Sequence, residues 1–113
     1  MAWVYVDLNS TPYAICDGET IVGVAAVEHV PDNDPEYKHW IPRFMIQDKF
    51  QGNSNGKKAM HKLIEMISEH DDFDRVRLSV VPENEGAITF YKNVGFVLTD
   101  EFLEGERAME WFC

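Results

Sequence analysis

The sequence predicts an α/β (α+β) fold: a mixed sheet, antiparallel in its N-terminal half, with two helices packed on it. Three observations carry this. Two strand-like runs, Pro12 to Cys16 and Thr20 to Glu28, are joined across Asp17-Gly18, a pair favoured in two-residue hairpins. The second half alternates strand, helix, strand, helix, strand, which demands parallel pairing with a crossover. Finally, 113 residues with 45% hydrophobic and 12% aromatic content make one domain, 1–113, with one core.

The elements follow in order. Met1 to Thr11 is rich in strand formers, and the hairpin comes next. Pro31-Asp32-Asn33-Asp34-Pro35 is an exposed turn by composition. It leads into a strand from about Lys38 to Ile46, where Pro42 interrupts the ladder and marks an edge, a splay or a bulge. A helix runs from about Asn55 to Glu69, its buried stripe Ala59, Met60, Leu63, Met66 and Ile67, with Lys58, Lys62 and Glu65 facing out. After the polar turn Asp71 to Asp74 comes a strand, Arg75 to Val81. Asn84 then caps a second helix that carries Ala87, Ile88, Tyr91 and Val94 on one face. Gly95 is its left-handed terminator, and Phe96 folds back onto it. Strands at about Phe96 to Phe102 and Ala108 to Phe112 flank Glu104-Gly105. There is no internal repeat and no low-complexity stretch.

Composition excludes several classes. A net charge of −10 argues against a nucleic-acid partner, which needs a basic face. The same charge either draws in a cationic small molecule or serves solubility alone. No run approaches the roughly 20 apolar residues of a membrane span. The start lacks a basic segment followed by an apolar core, so a cytoplasmic protein is expected. Cys16 and Cys113 then read as reduced thiols, with a disulfide as the alternative.

Two segments carry candidate chemistry. Between Arg43 and Lys58 an apolar strand end gives way to a tight turn and a basic helix start. Gly52 and Gly56 let the chain turn sharply, and Asn53 and Asn55 tolerate left-handed angles. Free N–H groups of the following helix, with Lys57 and Lys58 beside them, suit an anion. An ordinary loop before a helix is the plainer alternative. The second segment, Leu78 to Phe96, brings Tyr91 to the middle of a short helix that starts where a strand stops. Four histidines, His29, His39, His61 and His70, show no metal-ligand spacing, so no metal site is expected. No Ser-His-Asp order or nucleophile elbow appears.

Together the segments resemble the GNAT family of N-acetyltransferases, which use acetyl-CoA. Gln51-Gly52-Asn53-Ser54-Asn55-Gly56 occupies the family's pyrophosphate motif, with Ser54 where the middle glycine stands. Asn84, Ala87, Phe90, Tyr91, Gly95 and Phe96 match its second motif throughout, and Trp40 to Ile46 looks like the small bacterial spermine/spermidine acetyltransferase branch. The resemblance covers about residues 12 to 112. It implies acetyl-CoA as co-substrate, with its pyrophosphate over Gln51 to Lys57 and its pantetheine arm beside the backbone of Phe44, Met45 and Ile46. Asn84, near Ala87, would bond the same arm, and Tyr91 would be the general acid of direct transfer to a small, polyamine-like amine. Glu28, His29, His39, Glu83 and a water chain are the candidates for the base; Arg43 contacts an acceptor or pairs with a carboxylate.

The family usually places a strand and two helices before this hairpin. Here only Met1 to Thr11 stands there, so the expectation is a fold truncated at the N-terminus, or one whose wall a partner subunit supplies. A homo-oligomer is expected accordingly, with Glu110-Trp111-Phe112-Cys113 as an apolar strand for pairing. The alternative function is a non-catalytic CoA-binding or regulatory module.

Overall fold

The computed structural model of the chain describes residues 10–51 and 55–112. Its first two strands, β1 (Ser10–Asp17) and β2 (Thr20–His29), pair antiparallel from Ser10 opposite Glu28 to Asp17 opposite Thr20. The turn is therefore Gly18-Glu19 rather than Asp17-Gly18. Gly18 has φ +65° and Glu19 no positive φ, the pattern of a turn with glycine at its first central position.

Strand β3 (His39–Ile46) pairs antiparallel with β2 and carries the irregularity that Pro42 announced. Ala26 faces Arg43 and Glu28 faces Trp40, so three steps on β3 oppose two on β2. The extra residue lies at Ile41-Pro42, a bulge in β3. Helix α1 (Asn55–Ser68) follows, then β4 (Val76–Val80), helix α2 (Glu85–Val94), β5 (Val97–Leu103) and β6 (Glu106–Trp111). Strands β5 and β6 form a hairpin over Glu104 (φ 52°) and Gly105 (φ 86°), two left-handed residues in succession as a type I′ turn requires.

The sheet order is β1-β2-β3-β4-β6-β5. Strand β6 thus lies between β4 and β5, antiparallel to both. Glu110 and Trp111 belong to an interior strand, and the expectation that the C-terminal segment offers a free edge is corrected. Among the described strands, the edges are β1 and β5. The expected start over Met1 to Thr11 is described only from Ser10 onward.

Alternation along β4 explains the two faces of the sheet. Val76, Leu78 and Val80 turn into the core with Met60, Leu63, Ile64 and Ile67 of α1 and Val94 of α2. The α1 stripe is this i, i+3, i+4, i+7 set; Ala59 and Met66 are half-buried at its margin. Arg77 turns to the opposite face. There its guanidinium donates to Glu101 and Glu110, both at 2.8 Å, and lies 4.7 Å from the Tyr37 ring centre. The Gly95 terminator is seen, with φ 125°. Phe96 N–H donates to Tyr91 C=O at 2.9 Å and Gly95 N–H to Lys92 C=O at 3.1 Å, the two bonds of a Schellman ending.

Candidate functional site

Strands β3 and β4 run parallel, and Trp40 opposite Arg77 is the one pairing between them among the described residues. Past the Ile41-Pro42 bulge the two strands part. The helix that follows each strand starts at the open end, so the gap becomes a cleft of about 800 Å³. Phe44, Met45, Ile46, Gln51, Gly56, Lys57, Asn84, Ala87 and Tyr91, all named from sequence, line it. Gly86, Phe90 and Asn93 line it too and were missed as contributors. Asn55 faces a second groove, between α1 and the β1–β2 hairpin, and its side chain donates to Phe50 C=O at 3.3 Å. Gly52, Asn53 and Ser54 lie outside the described residues.

The backbone of β3 divides its groups between the two sides. Gln47 N–H donates to Val22 C=O at 2.8 Å, toward β2. A Cβ added to Gly23 would collide with the Met45 carbonyl, which therefore also points at β2. Alternation then turns the N–H and C=O of Phe44 and Ile46 the other way, toward β4 and the cleft. Of the three backbone units expected there, Met45 is committed elsewhere. The Ile46 carbonyl already accepts from Gln51 Nε2 at 2.9 Å.

At the mouth stands the start of α1, with four N–H groups that have no partner within the helix. Its first turn holds no acidic residue, and Lys57 is exposed. Gly56 acts differently from the expected turn glycine. It lies inside the helix without a positive φ, and a Cβ there would come within 3.1 Å of Phe90 Cε1 and 3.2 Å of Cζ. It allows the two helices to approach closely.

On the α2 wall, Asn84 caps the helix by accepting from Ala87 N–H at 3.1 Å through Oδ1. Its amide NH₂ remains an unused donor on a residue that lines the cleft. The Tyr91 ring makes edge-to-face contacts with Phe90 at 5.4 Å and Phe96 at 5.8 Å between centres. Burial pushes its phenol above the ordinary value of 10.0, so the hydroxyl keeps its proton through neutral pH. It has no hydrogen-bond partner among the described residues.

Among the described residues, no carboxylate or histidine lines the cleft. Two of the sequence's candidate bases, His29 and His39, are not among the residues lining the cleft; their Nε2 atoms each lie 2.9 Å from an oxygen of Asp72. That cluster also contains His70, so residues without ligand spacing along the chain meet in space. Glu28 faces Trp40 at the closed end of the strand pair, Glu83 is an exposed loop residue, and Arg43 is half-buried on β3. Cys16 is a free, exposed thiol, and Cys113 lies outside the described residues. Among the described residues, no helix is long and apolar enough to cross a membrane.

Comparison with known proteins agrees with this architecture. Residues 2–96 match the family described as acetyltransferase (GNAT). The chain is 33% identical over 93 residues to the spermine/spermidine N(1)-acetyltransferase of Bacillus subtilis (strain 168), covering 79% of this chain and 61% of that protein. A probable spermine N(1)-acetyltransferase of Bacillus subtilis subsp. natto matches with the same identity and coverage. The chain thus spans about three fifths of the curated relatives it matches. Among solved structures, the PaiA N-acetyltransferase of Thermoplasma acidophilum in complex with coenzyme A superposes with TM-score 0.77 at 16% identity, over 94% of this chain and 62% of that one. An acetyltransferase of Bacillus subtilis in complex with CoA gives 0.75 at 14% identity, over 93% and 78%. At such identities these two show the fold.

Proposed function

The chain belongs to the acetyltransferase (GNAT) family, and on that premise we propose that it is an acetyl-CoA-dependent N-acetyltransferase acting on a small cationic amine of the polyamine kind. The observation that carries this reading is the cleft between the parted parallel strands, with Tyr91 on its wall and the start of α1 at its mouth. An extended pantetheine arm suits a strand edge with free backbone groups, here Phe44 N–H and C=O and Ile46 N–H. A pyrophosphate suits the unpaired N–H groups of α1 beside Lys57. The Asn84 amide donates to the arm from the other wall.

In the reaction the amine nitrogen attacks the thioester carbonyl carbon, forming the C–N bond as the C–S bond breaks. Backbone N–H donors of β3 stabilise the oxygen charge that develops. Tyr91 gives its proton to the departing thiolate, and the proton lost by the amine passes to water in the open cleft. The acidic balance of the chain draws a cationic acceptor in. In this reading the protein works in the cytoplasm, where Cys16 stays reduced, and self-associates.

The test is release of free CoA from acetyl-CoA with spermine, spermidine and a panel of monoamines. Turnover with the polyamines supports the proposal. CoA binding without turnover on any amine would instead support the non-catalytic module, and no CoA binding would sink both.

A further inference from the structure

We propose that His29, His70 and Asp72 form a binding site for a divalent first-row transition metal, zinc foremost, at the closed end of the cleft. One donor atom from each residue lies within 4.8 Å of the others. Tetrahedral zinc holds nitrogen and oxygen ligands at about 2.0–2.2 Å, which places them roughly 3.4 Å apart. His29 Nε2 and Asp72 Oδ2, now 2.9 Å apart, need to open by about half an ångström. His70, within 4.8 Å of both and exposed on the turn after α1, closes any remaining gap by turning its ring where it already packs against His29 and His39. Two imidazoles and one carboxylate, with water completing the shell, are a donor set suited to zinc, and imidazole also serves nickel and copper.

The surroundings are built as a metal site needs them. His39 is fully buried and its Nε2 lies 2.9 Å from Asp72 Oδ1, the carboxylate oxygen that His29 does not use. It would hold the ligating carboxylate in orientation from behind. Its ring stacks on His29 at 4.5 Å with 7° between planes, fixing the ligand imidazole as well. A metal at His29 Nε2 takes the imidazole as a neutral ligand, its other ring nitrogen Nδ1 carrying the proton. Among the described residues, the competing cation at the site is Lys38 Nζ, 3.9 Å from Asp72 Oδ2; partly exposed, it can swing into solvent.

The site joins three segments: the last residue of β2, the turn between α1 and β4, and, through His39, the first residue of β3. It lies beside the single β3–β4 pairing and a full helix length from the mouth of the cleft, about 21 Å along the 14 residues of α1. A metal there clamps the end at which the strands must stay together while the other end opens.

The experiment uses chelator-stripped protein and zinc chloride alone. Calorimetry should show saturable binding of one ion per chain, and thermal unfolding should shift upward by about 5 °C or more once zinc reaches a hundredfold excess over its Kd. Cobalt(II) in place of zinc should give visible d–d absorption. His70→Ala is the decisive variant: whatever the loss of its ring contacts with His29 and His39 does to the metal-free Tm, the zinc-induced shift and the one-site isotherm should disappear. His61→Ala, an exposed histidine on α1, should keep both. A zinc response equal in wild type and His70→Ala, or none in either, would overturn the site. None of these readouts involves acetyl transfer.

Discussion

Lys57→Glu separates a phosphate site from an ordinary helix start, because binding and stability should move in opposite directions. The first turn of α1 has no acidic residue, and Lys57 stands there exposed, where the helix dipole disfavours a cation. A glutamate in its place should stabilise the fold by about 0.3–1 kcal/mol, a rise in Tm of roughly 1–5 °C for a domain of this size. If a pyrophosphate docks over the same turn, charge reversal acts against it. At roughly 6 Å through a partly solvated medium, one pair of unit charges is worth on the order of 1 kcal/mol, and reversal counts it twice. The Kd for CoA should then rise about thirtyfold. Lys58→Glu is the control: it occupies the same turn but lines the other groove beside Lys62. It should show the same gain in Tm with a much smaller loss of affinity. Calorimetric titration with CoA at low and high salt, beside scanning calorimetry, reads both quantities, and the loss should shrink as salt screens it. Unchanged CoA affinity in Lys57→Glu, with the gain in Tm present, would refute the anion site and leave a plain helix start.

Four further outcomes are expected. Tyr91→Phe should lower turnover by about a hundredfold while Tm and CoA affinity stay near wild type, since both edge contacts of the ring survive; equal turnover would assign the thiolate's proton to another donor. Gly56→Ala should lower Tm, because displacing Phe90 costs about 1–3 kcal/mol against at most about 1 kcal/mol of helix propensity gained; a higher Tm would mean the ring yields freely. For Glu101, the hydrogen bond from Arg77 holds the carboxyl below its ordinary value of 4.5. Its stabilisation is therefore present above pH 4.5 and lost as pH falls through the lower folded value, so the Tm gap between wild type and Glu101→Gln should narrow steadily as pH falls below 4.5. A constant gap would show that the pair does not titrate with folding. Self-association through the β1 or β5 edge should raise the mass seen by light scattering as concentration increases; a strict monomer at high micromolar concentration would count against it.

Much of the fold was legible because its signals are local. Glu104-Gly105 and the Asp17-Gly18 region mark hairpins by backbone requirement, although only the structure shows that the first turn is Gly18-Glu19. Pro42 marks the bulge because a residue without an N–H cannot continue a ladder, and the bulge lies where β3 leaves β4. The cleft residues were legible by resemblance. Phe44 to Ile46, Asn84 and Tyr91 were carried onto the chain by their places in the family's motifs, while the residues alone mark the end of β3 and the Asn84 cap of α2, with Tyr91 near the middle of that helix.

What escaped is non-local. Nothing along the chain says that β6 inserts between β4 and β5, since antiparallel pairing with either neighbour satisfies its own pattern. Phe90 and Asn93 fall off the apolar stripe of α2, and they line the cleft only because β3 parts from β4. The histidine cluster is the extreme case. His29 and Asp72 are 43 residues apart, so no period or spacing links them. They meet because the β2–β3 hairpin and the α1–β4 crossover each return the chain to the same end of the sheet. That return is a property of the βαβ topology, which obliges a strand, its crossover helix and the next parallel strand to begin and end in register. Residues placed where the crossover enters β4 therefore always face the start of the preceding strand. In this chain those positions hold His39, His70 and Asp72, and their meeting at the closed end follows from topology, with no local sign of it along the chain.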